Sequence, residues 1–313
     1  MAFKTIDVGF LATALFFNTM TAPMVKLTQN DDGGYDFNKW CVYFFSELIK
    51  LAVALAWCVI YHKPSQLNIE TGDFMQYAVP GFVFFAQNNL SFLALQHMDS
   101  SAFQLLMNTR IISVALLSVL LLRKPMNTIE WLAIVLLMVG AMQYQLSGCE
   151  HEGYRIDAEG LLVMLVIVLC AAGGNVYTQR VMQKKMDQPL MLQNSYLYLW
   201  GIFFNGINWS RSVRNGDVAF GTVGSVQVFS MVFYAVYGLS ISIILKRFGA
   251  ITRTFINTAA IVLTALVDVL FFRASISVLE MTTFVVISIA VFLHTVIAKQ
   301  FVNPALPDAN SKV

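Results

Sequence analysis

Charged residues are scarce in this chain. Asp, Glu, Lys and Arg together make up 12% of its 313 residues, whereas a soluble domain carries about 25%. Hydrophobic residues account for 58%. Ten membrane crossings would use about 200 residues and leave about 110 for eleven connections and tails, or about ten residues each, which is too few for a separate soluble domain. The composition therefore excludes a water-soluble protein and indicates a chain that lies almost entirely within a membrane.

Signatures of catalysis and metal binding are also missing. The sequence has no Gly-x-Ser-x-Gly, no His-Glu-x-x-His and no Cys-x-x-Cys, the spacings typical of hydrolases, zinc proteases and thiol or metal sites. An intramembrane aspartyl protease needs two aspartates in adjacent spans, and only Asp268 lies inside an apolar run. We therefore expect no enzymatic activity, no metal, no cofactor and no nucleic-acid partner.

Long apolar segments separated by short polar stretches fill the sequence. Each is long enough to cross a bilayer as a helix, and polar interruptions in the fourth and seventh leave the count open between nine and ten. The ten candidate spans are Val8–Val25, Trp40–Tyr61, Phe74–Leu95, Ala102–Leu122, Ile129–Leu146, Gly160–Met182, Leu190–Trp209, Thr222–Leu245, Thr254–Phe272 and Val278–Ala298. The sequence predicts an all-α integral membrane protein of about ten transmembrane helices.

The distribution of Lys and Arg between the loops predicts the orientation. With ten spans both tails share one side of the membrane, and that side collects twelve Lys and Arg residues against six on the other. Cytoplasmic loops carry the excess of these residues in membrane proteins. Both termini are therefore expected in the cytosol.

An internal repeat links the two halves of the chain. At an offset of 150 residues, Arg123 and Glu130 correspond to Arg273 and Glu280, with matching Ala-Leu and Val-Leu pairs before them. Five spans are an odd number, so a duplicated five-span unit enters the membrane inverted relative to the first. We expect a first five-helix repeat at 1–147, a luminal connection at 148–159, a second five-helix repeat at 160–300 and a cytosolic tail at 301–313.

Few ionisable residues lie at membrane depth, where each costs about 2.5 to 3.5 kcal/mol. Glu47 and Lys50 stand three apart on one helical face and can neutralise each other, as a structural or a gating ion pair. Arg110 has no carboxylate within a helical turn and suits an anionic group, with a distant ion pair to Glu47 or Asp268 as the alternative. The segment from Lys246 to Arg253 combines three cations with a helix start, which favours phosphate, although a cytosolic loop is basic in any case.

Several motifs together resemble the nucleotide-sugar transporters of the Golgi and endoplasmic reticulum, within the drug/metabolite transporter superfamily. They resemble the branch that holds the CMP-sialic acid, UDP-galactose and UDP-N-acetylglucosamine carriers, and most of all its members labelled as probable UDP-sugar transporters. The motifs extend from the second to the ninth span: Glu47-Leu-Ile-Lys50, Ala86 to Leu95, Phe103-Gln104 with Arg110, Val176-Tyr177, Gln193-Asn194 with Tyr198, Gly238-Leu239 with Lys246, and Arg253 with Ala259 to Leu263.

This resemblance implies an antiporter. A cytosolic nucleotide sugar, a UDP-sugar such as UDP-galactose or UDP-N-acetylglucosamine, would enter the lumen by alternating access in exchange for a nucleoside monophosphate, without ATP. The phosphates would lie at Lys246 and Arg253, with Arg110 near the phosphate or the sugar. Transferred onto this sequence, the substrate-binding residues are Asn88, Arg110, Tyr177, Asn194, Tyr198, Ser242, Lys246 and Arg253.

Departures from the family pattern leave the base and the sugar open. Arg110 and Arg253 stand where the better-known carriers typically have Lys, and Phe84 and Phe103 stand where they have Tyr. The alternatives are a CMP-sugar carrier of the CMP-sialic acid type, a proton-coupled metabolite exporter of the same superfamily, and a non-transporting membrane scaffold. The expected location is the Golgi membrane, with the endoplasmic reticulum open. A homo-oligomer and a complex with Golgi glycosyltransferases also stay open.

Overall fold

The computed structural model describes residues 5–20, 24, 27–28, 37–62, 70–98, 100–147, 157–221, 224–272 and 277–298. Most of the 148–159 connection, Arg273, the side chain of Asp268 and the 301–313 tail lie outside the described residues. In the described part, the regular secondary structure is helical apart from isolated bridge residues, of which Phe37 pairs with Gly221.

The helices follow the apolar runs of the sequence. In chain order they are α1 (Thr5–Thr19), α2 (Lys39–Tyr61), α3 (Thr71–Gln76), α4 (Ala78–His97), α5 (Ser100–Met107), α6 (Arg110–Leu122), α7 (Thr128–Ser147), α8 (Ala158–Lys184), α9 (Leu190–Arg214), α10 (Ser225–Arg247), α11 (Ala250–Phe272) and α12 (Val278–Phe292), which ends in a π-helical turn at Leu293–Ile297. Because α3 leads into α4 and α5 into α6 after one or two residues, these helices form ten rods, numbered 1 to 10.

The rods occupy the ten predicted positions. Seven of them are long and apolar enough to cross a membrane, namely rods 2 to 6, 8 and 10, and shorter apolar helices lie in rods 1 and 9. Rod 7, formed by α9, is long enough but carries more polar residues. The prediction of an all-α integral membrane protein is confirmed, whereas the count of ten crossings stays a prediction.

Two helices that the sequence repeat relates begin with the same kind of cap. At the start of α7, the Asn127 side chain accepts from the Glu130 amide, and the Glu130 carboxylate accepts from the Asn127 amide. At the start of α12, Ser277 and Glu280 make the same reciprocal pair. Such capping boxes satisfy backbone N–H groups that a helix start leaves open. The repeated glutamates therefore mark two helix starts.

The pairing of the rods has an internal symmetry. Rod 2 packs along rod 7 and rod 5 along rod 10, while rods 3 and 4 both pack on rod 6, and rods 8 and 9 both pack on rod 1. Rod 2 also packs on rod 8 and rod 3 on rod 7. Shifting every rod number by five leaves this set of extensive pairings unchanged.

The two ends of the bundle differ in charge. Rods 2, 4, 6 and 8 finish, and rods 3, 7 and 9 begin, at what we call the basic end, where Lys124, Lys185, Lys246 and Arg247 lie. At the opposite end, the Asn38 amide before α2 donates to Ser212 near the end of α9. The functional site lies between these ends.

Candidate functional site

A cavity of about 400 Å³ lies inside the bundle, and residues of α2, α4, α6 and α8 to α11 line it. Its size falls within the range of ordinary ligand sites. Most of the site residues predicted from the sequence come together around it. The predicted residues that line the cavity are Glu47, Lys50, Asn88, Arg110, Tyr198, Ser242 and Arg253.

A close ion pair lies on the α2 side of the cavity. Lys50 Nζ lies 2.5 Å from Glu47 Oε1, and both side chains are more than four-fifths buried. The same ammonium lies 4.7 Å from the centre of the Tyr198 ring, within the range of a cation–π contact. The Tyr198 hydroxyl lies 3.4 Å from Ser242 Oγ. The pair is thus held within a wall that joins α2, α9 and α10.

Two glycines make room for this ion pair. A Cβ on Gly201 of α9 would lie 2.8 Å from Glu47 Oε2, and a Cβ on Gly238 of α10 would lie 2.9 Å from Lys50 Cδ. Side-chain carbons do not tolerate such distances, so any larger residue would displace the pair. Glycine is required here for the close approach of α9 and α10.

Two arginines face the cavity on its other side. Arg110 and Arg253 lie close enough to repel each other, and neither forms a salt bridge with any carboxylate that the structure describes. Arg253 donates to Asn175 Oδ1 and interacts electrostatically with Tyr237. Its Nε is buried without a hydrogen-bond partner among the described residues. An unpaired, buried guanidinium favours an anionic ligand.

Rod 4 is interrupted beside one of these arginines. Between α5 and α6, Asn108 donates to the Ala141 carbonyl at 3.2 Å and Thr109 donates to the Leu106 carbonyl at 2.7 Å. Arg110 is the first residue of α6. A helix start inside the membrane adds a partial positive charge to that of the guanidinium. The interruption therefore strengthens the preference of this side for an anion.

The charges that line the cavity leave a net positive site. Among the described residues that line it, one carboxylate, Glu47, faces three cations, Lys50, Arg110 and Arg253, which gives these residues a formal charge of +2. Uncompensated charge at this depth is costly. A dianion is the ligand that would neutralise it.

Three predicted site residues lie outside the cavity lining. Lys246 donates from Nζ to the Gln188 carbonyl at 2.6 Å, in a depression at the basic end. Asn194 is fully buried. Tyr177 packs against the cluster of Val176, Met182 and neighbouring residues. The structure thus shows these three side chains away from the cavity, and their role in substrate binding stays a prediction.

The sequence reasoning missed Tyr237, which lines the cavity. On α10, Tyr234, Gly238 and Ser242 stand four residues apart and also line it. Because residues three or four apart share a helical face, the positions before the predicted residue Ser242 would have identified the face of α10 that carries Tyr237.

Hydrogen bonds close the bundle at the basic end. Lys185 Nζ lies 2.6 Å from Asp73 Oδ2 and 2.8 Å from Glu70 Oε2, and the Gln183 amide donates to the Lys246 carbonyl at 3.0 Å. The carboxylates of Asp73 and, next, Glu70 raise the pKa of Lys185 above its usual value. Toward the opposite end the lining residue Tyr43 is 46% exposed. The contacts at the basic end tie α8 to α10 and join α3 to the connection between α8 and α9.

Comparison with known proteins indicates a single family along almost the whole chain. The sequence model of the nucleotide-sugar transporter family matches residues 2–295. "CMP-sialic acid transporter 2" of Oryza sativa subsp. indica is 24% identical over 92% of this chain and 83% of its own. "Probable UDP-sugar transporter protein SLC35A4" of Xenopus tropicalis is 29% identical over 87% of both chains.

A third relative and a solved structure complete the comparison. "UDP-galactose/UDP-N-acetylglucosamine transporter srf-3" of Caenorhabditis elegans is 24% identical over 68% of this chain and 59% of its own. A crystal structure described only as that of a protein superposes with a TM-score of 0.73 at 16% identity, over 94% of this chain and 98% of that one. The structural similarity supports the fold.

Proposed function

The chain belongs to the nucleotide-sugar transporter family, and on that premise we propose that it exchanges a cytosolic nucleotide sugar for a luminal nucleoside monophosphate. The family resemblance is confirmed, and so is the prediction that the chain is a transporter and not an enzyme. We propose a UDP-sugar, such as UDP-galactose or UDP-N-acetylglucosamine, as the substrate. The observation that carries the proposal is the pair of arginines that line the cavity, neither of which forms a salt bridge with a carboxylate among the described residues.

The charge of the cavity supports exchange. A nucleoside monophosphate carries about −1.5 to −2 at neutral pH, and the diphosphate of a UDP-sugar carries two negative charges. Either ligand neutralises the +2 of the cavity. The empty cavity keeps two uncompensated charges at membrane depth, which opposes its passage through an occluded state. A carrier of this kind changes the side to which its site opens when an anion is bound. A nucleotide sugar is then carried in one direction and a nucleoside monophosphate in the other, which is antiport.

The roles of the side chains follow from their positions. We propose that Arg110 and Arg253 bind the phosphates, and that Asn88, Tyr198 and Ser242 contact the base or the sugar. Amides and phenols offer the donors and acceptors that such groups need. Glu47 and Lys50 hold the wall between α2, α9 and α10.

Alternating access would add two residues to the cavity lining that lie outside it in this structure. Asn194 and Lys246 each lie one helical turn closer to the basic end than a lining residue, Tyr198 on α9 and Ser242 on α10. Residues four apart share a helical face. We propose that both join the cavity when it opens toward the basic end, where Lys246 would meet the phosphate. Tyr177 is proposed to pack in the core.

The symmetric packing of the rods supports two inverted repeats, which we propose at 1–147 and 160–300, with the connection 148–159 between them and the tail 301–313 after them. Rod n and rod n + 5 have corresponding neighbours, and Glu130 and Glu280 cap corresponding helices. Paired inverted repeats are the usual basis of alternating access. We further propose a Golgi membrane location with both termini in the cytosol.

Exchange in proteoliposomes tests the proposal. Vesicles preloaded with UMP, CMP, GMP or AMP are challenged with labelled nucleotide sugars, and UMP is expected to accelerate uptake of a UDP-sugar. If CMP accelerates uptake of a CMP-sugar instead, the alternative CMP-sugar carrier is correct. Uptake that collapses with a pH gradient would indicate the proton-coupled exporter. The antiporter proposal fails if no internal monophosphate accelerates uptake of any sugar nucleotide.

A further inference from the structure

Rod 1 carries a polar side chain that the proposed function does not use. Asn18 on α1 is outside the cavity lining, yet it bonds to two other rods. Its amide nitrogen donates to Asn257 Oδ1 on α11 at 2.5 Å, and its amide oxygen accepts from the Tyr237 hydroxyl on α10 at 3.2 Å. A polar group inside an apolar bundle is costly unless it is hydrogen-bonded. These two bonds therefore fix the amide between α10 and α11.

The fixed amide determines how the Tyr237 hydroxyl is oriented. A phenol has one hydrogen to donate and lone pairs with which to accept. Because that hydrogen goes to Asn18, the oxygen can present a lone pair to Arg253, with which it interacts electrostatically. Tyr237 and Arg253 both line the cavity. The chain of contacts thus runs from α1, outside the site, to a guanidinium inside it.

We infer that Asn18 is a positioning residue for phosphate binding, which acts through Tyr237 on Arg253. The inference rests on the proposed function, in which Arg253 binds a substrate phosphate. Asn257 stands one turn after Arg253 on α11, so Asn18 holds both the tyrosine that contacts the guanidinium and the helix that carries it. Without the amide oxygen, the Tyr237 hydrogen is free to turn toward the Arg253 donors, where it would repel them.

Binding of UMP and of uridine to the purified full-length protein tests this inference, with exchange measured in parallel. If CMP proves to be the exchanged nucleotide, CMP and cytidine replace them. Asn18→Leu is expected to weaken UMP binding about fivefold, the worth of one hydrogen bond, and to leave uridine binding unchanged because uridine has no phosphate. Tyr237→Phe is expected to do the same, and the double variant is expected to bind UMP no more weakly than either single variant.

Thr13→Val is the matched control on the same helix. Thr13 is exposed, and its hydroxyl donates to the Gly9 carbonyl of its own helix, so this variant should bind both ligands as the wild type does. If Asn18→Leu does not fold, Tyr237→Phe and Asn257→Leu carry the test, with UMP-selective loss expected in both and a smaller loss in the second.

Three results would overturn the inference. One is wild-type affinity for UMP in Asn18→Leu, the second is equal weakening of UMP and uridine, and the third is additive losses in the double variant, since each would show that Asn18 only supports the fold. A wild-type protein that neither exchanges nor binds any nucleotide would instead refute the proposed function, and the inference with it.

Discussion

The charged side chains on the two sides of the cavity differ in whether they have a partner of opposite charge. On the α2 side, Lys50 lies 2.5 Å from Glu47, and glycines on α9 and α10 bring neighbouring helices against the pair. On the α11 side, Arg253 lies near Arg110, and neither meets a carboxylate that the structure describes. The first arrangement is complete without a ligand, whereas the second is not.

This difference separates structural charge from binding charge. A buried ion pair roughly balances its own desolvation, and removing one partner is strongly destabilising because the other charge is left alone. Two neighbouring cations without a counterion cost free energy, and a ligand that neutralises them recovers it. The comparison therefore predicts opposite patterns: variants of the arginines lose exchange more than stability, and variants of the pair lose stability more than exchange.

Removal of the Arg253 guanidinium is expected to have the largest effect. Arg253→Ala should abolish exchange, since it deletes hydrogen bonds to a charged phosphate worth about 1.5 to 3 kcal/mol each. The protein should still reach the membrane, because an uncompensated charge has been removed. Exchange in proteoliposomes and thermal stability in detergent are the measurements. Arg180→Ala, on an exposed position of α8, is the matched control, and near-normal exchange by Arg253→Ala would refute the phosphate role.

Arg110 is expected to come next. Arg110→Ala should lower exchange about tenfold or more, while Arg110→Lys keeps the cation and should retain most of the activity, as the resemblance to carriers with Lys at this position implies. The two variants separate charge from guanidinium geometry. If Arg110→Lys is as inactive as Arg110→Ala, positive charge alone does not account for binding on this side.

Removal of the Glu47 carboxylate should lower stability more than it lowers exchange. Glu47→Gln leaves Lys50 buried and without its carboxylate, and we expect a loss of about 3 to 5 kcal/mol in the free energy of unfolding, with a smaller effect on exchange. The double variant Glu47→Gln with Lys50→Met should recover most of that stability. Thermal unfolding in detergent gives the comparison. A Glu47→Gln protein of unchanged stability but without exchange would place the pair in the transport step.

The glycine contact gives a smaller and more local test. Gly201→Ala would place a Cβ 2.8 Å from Glu47 Oε2, and such overpacking costs about 1 to 3 kcal/mol. Gly206→Ala, one and a half turns further along α9, would make an ordinary contact of 3.4 Å with Phe44 and is the matched control. Equal melting temperatures for the two variants would show that α9 does not need a glycine beside the pair.

Much of this comparison could be predicted from the sequence, but not all of it. Apolar length predicted the helices, and the spacing of Glu47 and Lys50 predicted their contact, because both are local properties. The packing role of the glycines at 201 and 238 gave no local signal, although Gly238 belongs to a family motif, since that role depends on how α9 and α10 meet α2. Asn194 and Lys246 were placed in the cavity by the family resemblance, which does not predict the depth at which they lie in this bundle.

Removal of the ion pairs at the basic end should have the smallest effect on the protein. Because Asp73 and Glu70 raise the pKa of Lys185, the charged ammonium is favoured in the folded protein. The stability it contributes is fully present below its unfolded pKa of about 10.4 and is lost as pH rises through the higher folded value. The difference in melting temperature between wild type and Lys185→Met should therefore be constant from about pH 7 to about pH 9 and should shrink only above about pH 10. A difference that fades between about pH 7 and about pH 9 would show that Lys185 is not held by these carboxylates. The contacts at the basic end would then be the hydrogen bonds that the side chains of Gln183 and Lys246 donate to neighbouring carbonyls, and the contrast between paired and unpaired charge would apply to the cavity alone.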